Sequence, residues 1–215
     1  IKMRLIRFFA AVMMNVLFCS IALGYSGGGG TASNPYRIAT KADLLTLSAT
    51  TADYSKSFIL TADIDLTGET FTQAVIAPDT NSSTSSFEGT TFTGVFDGNG
   101  RAILNLTIAA SGKYYIGLFG SVNTNGQVKN LDVKNITIQG RDYTGGLAGY
   151  NSGKITASYT SGSVNGQSYT GGLVGYNGGT IMSSYAADSV TGTSSVGGLA
   201  GRNNQGTISY CCATG

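Results

Sequence analysis

The sequence has no histidine and no tryptophan, and only two prolines. Without histidine, the commonest general base, the commonest zinc ligand and every Ser–His or Cys–His dyad drop out together. Cysteine is scarce, at three residues. Cys19 sits in an N-terminal apolar run, and Cys211 and Cys212 are neighbours, whose direct bridge would strain disulfide geometry. Neither a disulfide framework nor a metal-ligand spacing can be composed from them. Charge is thin as well, with only 11% Asp, Glu, Lys and Arg. What abounds is glycine, at 32 residues. Average usage is about 7%, so half of these glycines need a special reason. They follow no collagen period, and 41% apolar residues argue against wholesale disorder.

Residues 1–24 read as a signal peptide. Lys2, Arg4 and Arg7 form a basic start, residues 8–24 are apolar, and Ala22 and Gly24 supply small residues where a signal peptidase reads. A membrane anchor is the competing reading. Asn15 and Ser20 interrupt the run, which is short for a span of about 20 residues. A lipoprotein would use Cys19, but Phe18 before it is bulky. The leader takes three basic residues with it, leaving ten Lys and Arg against eleven Asp and Glu, a net charge of −1. A nucleic-acid surface should be strongly basic, so that partner is excluded, as is a membrane span once the leader is gone.

The rest of the chain repeats. Gly117-Leu118, Gly146-Leu147, Gly172-Leu173 and Gly198-Leu199 are spaced 29, 26 and 26 residues apart, the signature of a repeat architecture. Other columns agree: Val128, Ile155, Ile181 and Ile208; Ile138, Val164 and Val190; Asn151, Asn177 and Asn203. Tyr114, Tyr143 and Tyr169 recur before the glycines, and Ser195 breaks that series. Period-two alternation, as in Leu131/Val133 and Ile136/Ile138, marks strands. Three short strands per 26 residues, parted by Gly, Asn and Ser turns, describe one coil of a solenoid. The fold class is therefore all-β, a right-handed parallel β-helix. Leu should stack on Leu, Ile on Ile and Asn on Asn, with coils about 4.8 Å apart. Glycine should serve corners of positive φ and places of close approach. A leucine-rich repeat fails because later units lack its Leu and Asn spacing, and a propeller needs a period nearer 40–50 residues.

Solenoid ends expose unpaired strand edges. Over residues 35–49, Thr40 and Asp43 resemble a capping box and Leu44, Leu45 and Leu47 form an apolar face, so a short N-terminal capping helix is expected. The predicted organisation is residues 25–57 as linker and cap, then 58–215 as solenoid, with clear repeats from about 114. By alignment the last unit stops in mid-coil, so further repeats or domains are expected downstream of Gly215.

Residues 145–166 and 171–192, "GGLAGYNSGKITASYTSGSVNG" and "GGLVGYNGGTIMSSYAADSVTG", resemble the GLUG repeat of bacterial exported proteins. The unit from Gly197 fits with Arg202 in place of Tyr, and residues 94–120 resemble the lead-in to such repeats. The resemblance implies a bacterial secreted or cell-surface β-solenoid. GLUG repeats occur in adhesin-like and haemagglutinin-like proteins and beside the peptidase domains of IgA-cleaving enzymes. It carries over no catalytic residue and no cofactor.

Several groups invite chemistry. Asp97 and Asn99 alternate like calcium ligands, but a full loop would need Glu at the twelfth position, where Ile108 stands. A tight Asp-Gly/Asn-Gly turn accounts for them. Asp63 and Asp65 share a strand face, where a solvated surface is the default reading and a cation site the alternative. A carbohydrate-cleaving site would draw on Asp97, Arg101, Asp132 and Arg141. No motif unites them, so no catalytic, metal or cofactor residue is assigned. For binding, Tyr114, Tyr143 and Tyr169, with Tyr150 and Tyr176, could form an outward stripe at coil spacing. The alternative is a ladder in which each ring packs only on its neighbour. The expected function is a non-catalytic, adhesin-like or scaffold module at the cell surface, with an extracellular protein or polysaccharide as partner. A carbohydrate-active enzyme, or the non-catalytic part of a larger secreted hydrolase, is the alternative.

Overall fold

A computed structural model describes residues 24–215; apart from Gly24, the expected leader lies outside the described residues. The chain winds as a parallel β-solenoid. One coil runs through strands Asp142–Gly145, Ala148–Asn151, Lys154–Thr156 and Tyr159–Asn165. The next repeats them as Ser168–Gly171, Val174–Asn177, Thr180–Met182 and Tyr185–Thr191. Every pairing between coils is parallel, and among the described residues the register shifts at only two of them, between Asp97 and Arg101 and between Ser161 and Gly162. Val128, Ile155, Ile181 and Ile208 pair in one file, which Phe96 and Phe58 continue toward the N-terminus. Ile138, Val164 and Val190 form a second file.

The leucines form a third. The Leu147 amide donates to the Leu173 carbonyl at 2.9 Å, and the Leu173 amide to the Leu199 carbonyl at 2.9 Å. Leu147 and Leu173 are fully buried, and Leu199 packs against the core. Burial of each such side chain contributes about 1.5–3 kcal/mol. The asparagines stack as well. Asn151 Nδ2 donates to Asn177 Oδ1 at 2.8 Å, and Asn177 Nδ2 to Asn203 Oδ1 at 2.7 Å. Asn151 and Asn177 are completely buried, so the ladder satisfies amides that would otherwise be costly inside the protein.

Glycine plays a narrower part than the sequence suggests. Within the repeats only Gly162 has positive φ. The left-handed corners are taken by Tyr143, Ala157, Tyr169, Ser183 and Ser195. The repeat glycines answer to close approach: a Cβ on Gly175 would lie 2.5 Å from the Thr144 amide nitrogen of the preceding coil. The two short strands of successive coils thus meet backbone to backbone, where only glycine fits.

The N-terminal cap forms as a helix at Lys41–Ala49. The Asp43 amide donates to Thr40 Oγ1, and Asp43 Oδ2 accepts from the Thr40 amide, closing the capping box. Leu44 and Leu47 are fully buried and Leu45 half-buried. The residues before the helix do not join it, because Tyr36–Ile38 form a strand that pairs with Ser57–Leu60 and lays the first rung. "DGNG" departs from the expected tight turn. It is a bulge inside the strand Val95–Leu104, set against Asn130, where the parallel register shifts between Asp97 and Arg101.

Leu173→Asp should abolish cooperative folding, because it forces an unpaired charge into a closed core. Lys154→Ala, at an exposed position, should leave the melting temperature within about 2 °C. Thermal melts followed by circular dichroism distinguish the two.

Candidate functional site: a two-file tyrosine comb

Two files of tyrosine stand side by side where the short strands turn. In the first, Tyr115, Tyr143 and Tyr169 stack with centroids 4.7 and 5.0 Å apart. In the second, Tyr150 and Tyr176 stack at 5.1 Å. The files meet edge to face, Tyr143 on Tyr176 at 5.8 Å and Tyr169 on Tyr176 at 5.8 Å. All but Tyr115 are half-buried. Such pairs contribute about 0.5–1.5 kcal/mol each beyond their burial. That gain offsets the left-handed backbone of Tyr115, Tyr143 and Tyr169, whose φ values are 55°, 56° and 54°. For a bulky residue this region is an outlier costing roughly 1–2 kcal/mol.

The register corrects one member. Tyr114 is not in the stack; Tyr115 is. Ile116 bridges to Thr144, and Gly117 alone stands where the next coil has Gly145 and Gly146. Aligning on Gly-Leu therefore slips by one residue upstream. Tyr114 is buried, and the Arg141 guanidinium lies 4.9 Å from its ring centroid. At the other end, Arg202 continues the second file. Its guanidinium sits 5.6 and 5.7 Å from the rings of Tyr169 and Tyr176, and Nη1 donates to the Tyr169 hydroxyl at 3.3 Å.

The comb therefore presents its rings on edge. Faces inside a file are covered by neighbours, and the half-buried rings of Tyr143, Tyr169, Tyr150 and Tyr176 repeat at the rung spacing. Burial, with the neighbouring tyrosines and Asp142, pushes the Tyr143 hydroxyl up from its ordinary pKa.

The acidic candidates are not brought together. Asp97 Oδ2 lies 3.1 Å from Lys129 Nζ, and its Oδ1 accepts from the Asn99 amide and Asn130 Nδ2. Burial pushes its carboxyl up, but those hydrogen bonds and Lys129 hold it below the usual range. Asp132 pairs with Lys134 at 2.6 Å, in the file of Tyr159 and Tyr185. Arg101 lies beside that file, paired with Leu131, while Arg141 is engaged with Tyr114. Asp63 and Asp65 do different work: Asp63 accepts from the Ala102 amide, and Asp65 from Asn105 Nδ2 and from Thr67. Those bonds, Asn105 first, hold the Asp65 carboxyl down at about 2. Among the described residues, no three Cys, Asp or Glu side chains converge as a metal site would require.

Architecture and comb together define a repeat-built parallel solenoid with an aromatic outer edge. Residues 166–191 match the family model described as "The GLUG motif", so the chain carries a GLUG repeat. It is similar to halomucin of Haloquadratum walsbyi, 37% identical over 64% of this chain and 2% of that protein. It is also similar to a protein named a Gly-rich membrane protein in Evansella cellulosilytica, 34% identical over 61% of this chain and 15% of that one. The chain thus matches only a small fraction of either relative. Among solved structures, a chain assigned as an immunoglobulin A1 protease from Bacteroides ovatus superposes with a TM-score of 0.58 at 20% identity. That match covers 87% of this chain and 69% of the other. At that identity the likeness concerns fold.

One buried acid escapes a reading by motif. Asp188 occupies the inward column of Ile136 and Gly162 and is 1% exposed. Thr160 Oγ1 donates to its Oδ2 at 2.6 Å, while Oδ1 has no partner. Burial pushes its carboxyl up to about 6, with the Thr160 bond opposing. A raised carboxyl stabilises the fold most below its unfolded pKa and loses that contribution as pH rises through the folded value. Stability attributable to Asp188 should therefore fall between about pH 4 and pH 6. Melting temperatures of the protein and of Asp188→Asn across this window should diverge, the variant losing that component of the slope.

Proposed function

We propose that this chain is a non-catalytic repeat module of a secreted or cell-surface protein, and that its tyrosine comb engages an extracellular protein or polysaccharide. The observation that carries the reading is the double file of stacked tyrosines along the solenoid, Tyr150 and Tyr176 beside a first file, Tyr115, Tyr143 and Tyr169, whose backbone is left-handed. Strained backbone held in place by packing marks functional surfaces, and tyrosine gives large, rigid contact area with a polar tip. The names of the two relatives, halomucin and a Gly-rich membrane protein, support a surface or membrane-associated setting. Among the described residues no helix is long and apolar enough to cross a membrane. Asp97 and Asp132 are each tied to a lysine of their own, which favours a binding role over hydrolysis.

A second reading rests on the Bacteroides ovatus likeness: the module would be the non-catalytic part of a larger secreted hydrolase. In both, the chain itself binds and does not cleave.

The full chain should be retained on immobilised extracellular polysaccharide or protein. Tyr143→Ala combined with Tyr169→Ala should weaken retention at least tenfold while the protein still melts cooperatively. Unchanged retention would remove the comb from the contact, and release of cleaved product would restore the enzyme reading.

A further inference from the structure

The second tyrosine file stops one rung early. Its members are Tyr176 and Tyr150, and the position paired with Tyr150 on the preceding coil is Ser121. Tyr176 covers one face of the Tyr150 ring; the other faces the place where a third ring would stand. A cavity of about 290 Å³ lies there.

Its walls come from three directions. The Tyr150 face closes it on the C-terminal side. Tyr115, edge to face with Tyr150 at 6.2 Å, closes one flank. The third wall is a flap of residues 78–91 that leaves the sheet one coil below. Phe87 meets the Tyr115 ring edge-on at 5.2 Å, and the Tyr115 hydroxyl donates to the Ser85 carbonyl at 2.7 Å. The flap is moored again where Asn123 Nδ2 donates to Thr91 Oγ1 at 3.2 Å. Ser121, Asn123 and Ser152 complete the lining.

We infer that this slot binds a single neutral pyranose ring, a terminal or branch sugar of an extracellular glycan. The inference rests on the reading that the tyrosine edge faces an extracellular partner, and it names the ligand class at one end of it. Aromatic rings on the walls match the C–H face of a sugar. Hydroxyl and carboxamide groups around them match its hydroxyls. No charged side chain lines the cavity, which disfavours uronic acids and sulfated sugars. The slot is bounded along the axis by Tyr150 and by the flap, so a ring must enter edgewise from outside, as a chain end or branch does. A partner's aromatic side chain would also stack on Tyr150, but it would leave the polar lining unpaired, at a cost.

The full chain should be titrated by NMR with a panel of neutral methyl glycosides, alongside glucuronic acid and tyrosine amide. At least one neutral glycoside should shift the ring signals of Tyr150 and Phe87. Ser121→Tyr, which carries the file one rung further, should weaken that binding at least tenfold. Phe87→Ala should weaken it severalfold without touching the sheet. Tyr169→Ala, far from the slot, should leave it unchanged, so that loss of retention through the comb can be told from loss of the slot. Failure of every glycoside to bind would overturn the inference, as would affinity unchanged from the unaltered protein in both Ser121→Tyr and Phe87→Ala. So would a response to tyrosine amide alone, which would assign the slot to a protein partner.

Discussion

Each coil hydrogen-bonds to the next in parallel so that equivalent columns stay in file, and this alignment positions everything else. Leu147, Leu173 and Leu199 can share one file only because the backbone amides between them are locked at 2.9 Å. A slip of one residue would turn every inward side chain outward. The Asn151–Asn177–Asn203 ladder makes such a slip costlier still. It would separate the buried Asn151 and Asn177 amides, which bond only along the ladder and to nearby backbone.

The same register builds the comb. A ring repeated at one column of a solenoid must stack at the rung spacing, and two adjacent columns must then meet edge to face. Glycine permits this by removing side chains from between the short strands, so that Gly175 can rest on the backbone at Tyr143 and Thr144. Sparse charge fits the picture, since acids at the surface are matched locally, as Asp97 is by Lys129, and do not gather into a reactive cluster.

Much of the fold was legible because the period is nearly constant. The Leu, Ile and Asn columns, the capping box at Thr40 and Asp43, and the place of Asp132 beneath Tyr159 all follow from alignment. The Tyr114 error came from treating the lone Gly117 as equivalent to the first glycine of a later pair, when one residue is missing there. Asp188 could have been found: it lies two residues before Val190 and so faces inward, in the column of Ile136. Ser121 was also readable, three residues after Leu118 as Tyr150 is after Leu147. The flap over it was not, since residues 78–91 carry no repeat, and their path depends on Phe87 and Ser85 meeting Tyr115.

The ladders run along the solenoid's length, so its resistance to force is directional. A pull from the C-terminal end would load the bonds of one coil at a time, peeling the stack like a zip. Each release would free about 26 residues, or roughly 90 Å of extended chain. The capping helix covers the N-terminal rung, so peeling from that side would first have to displace it. A tether made of such coils would lengthen in equal increments and give way step by step.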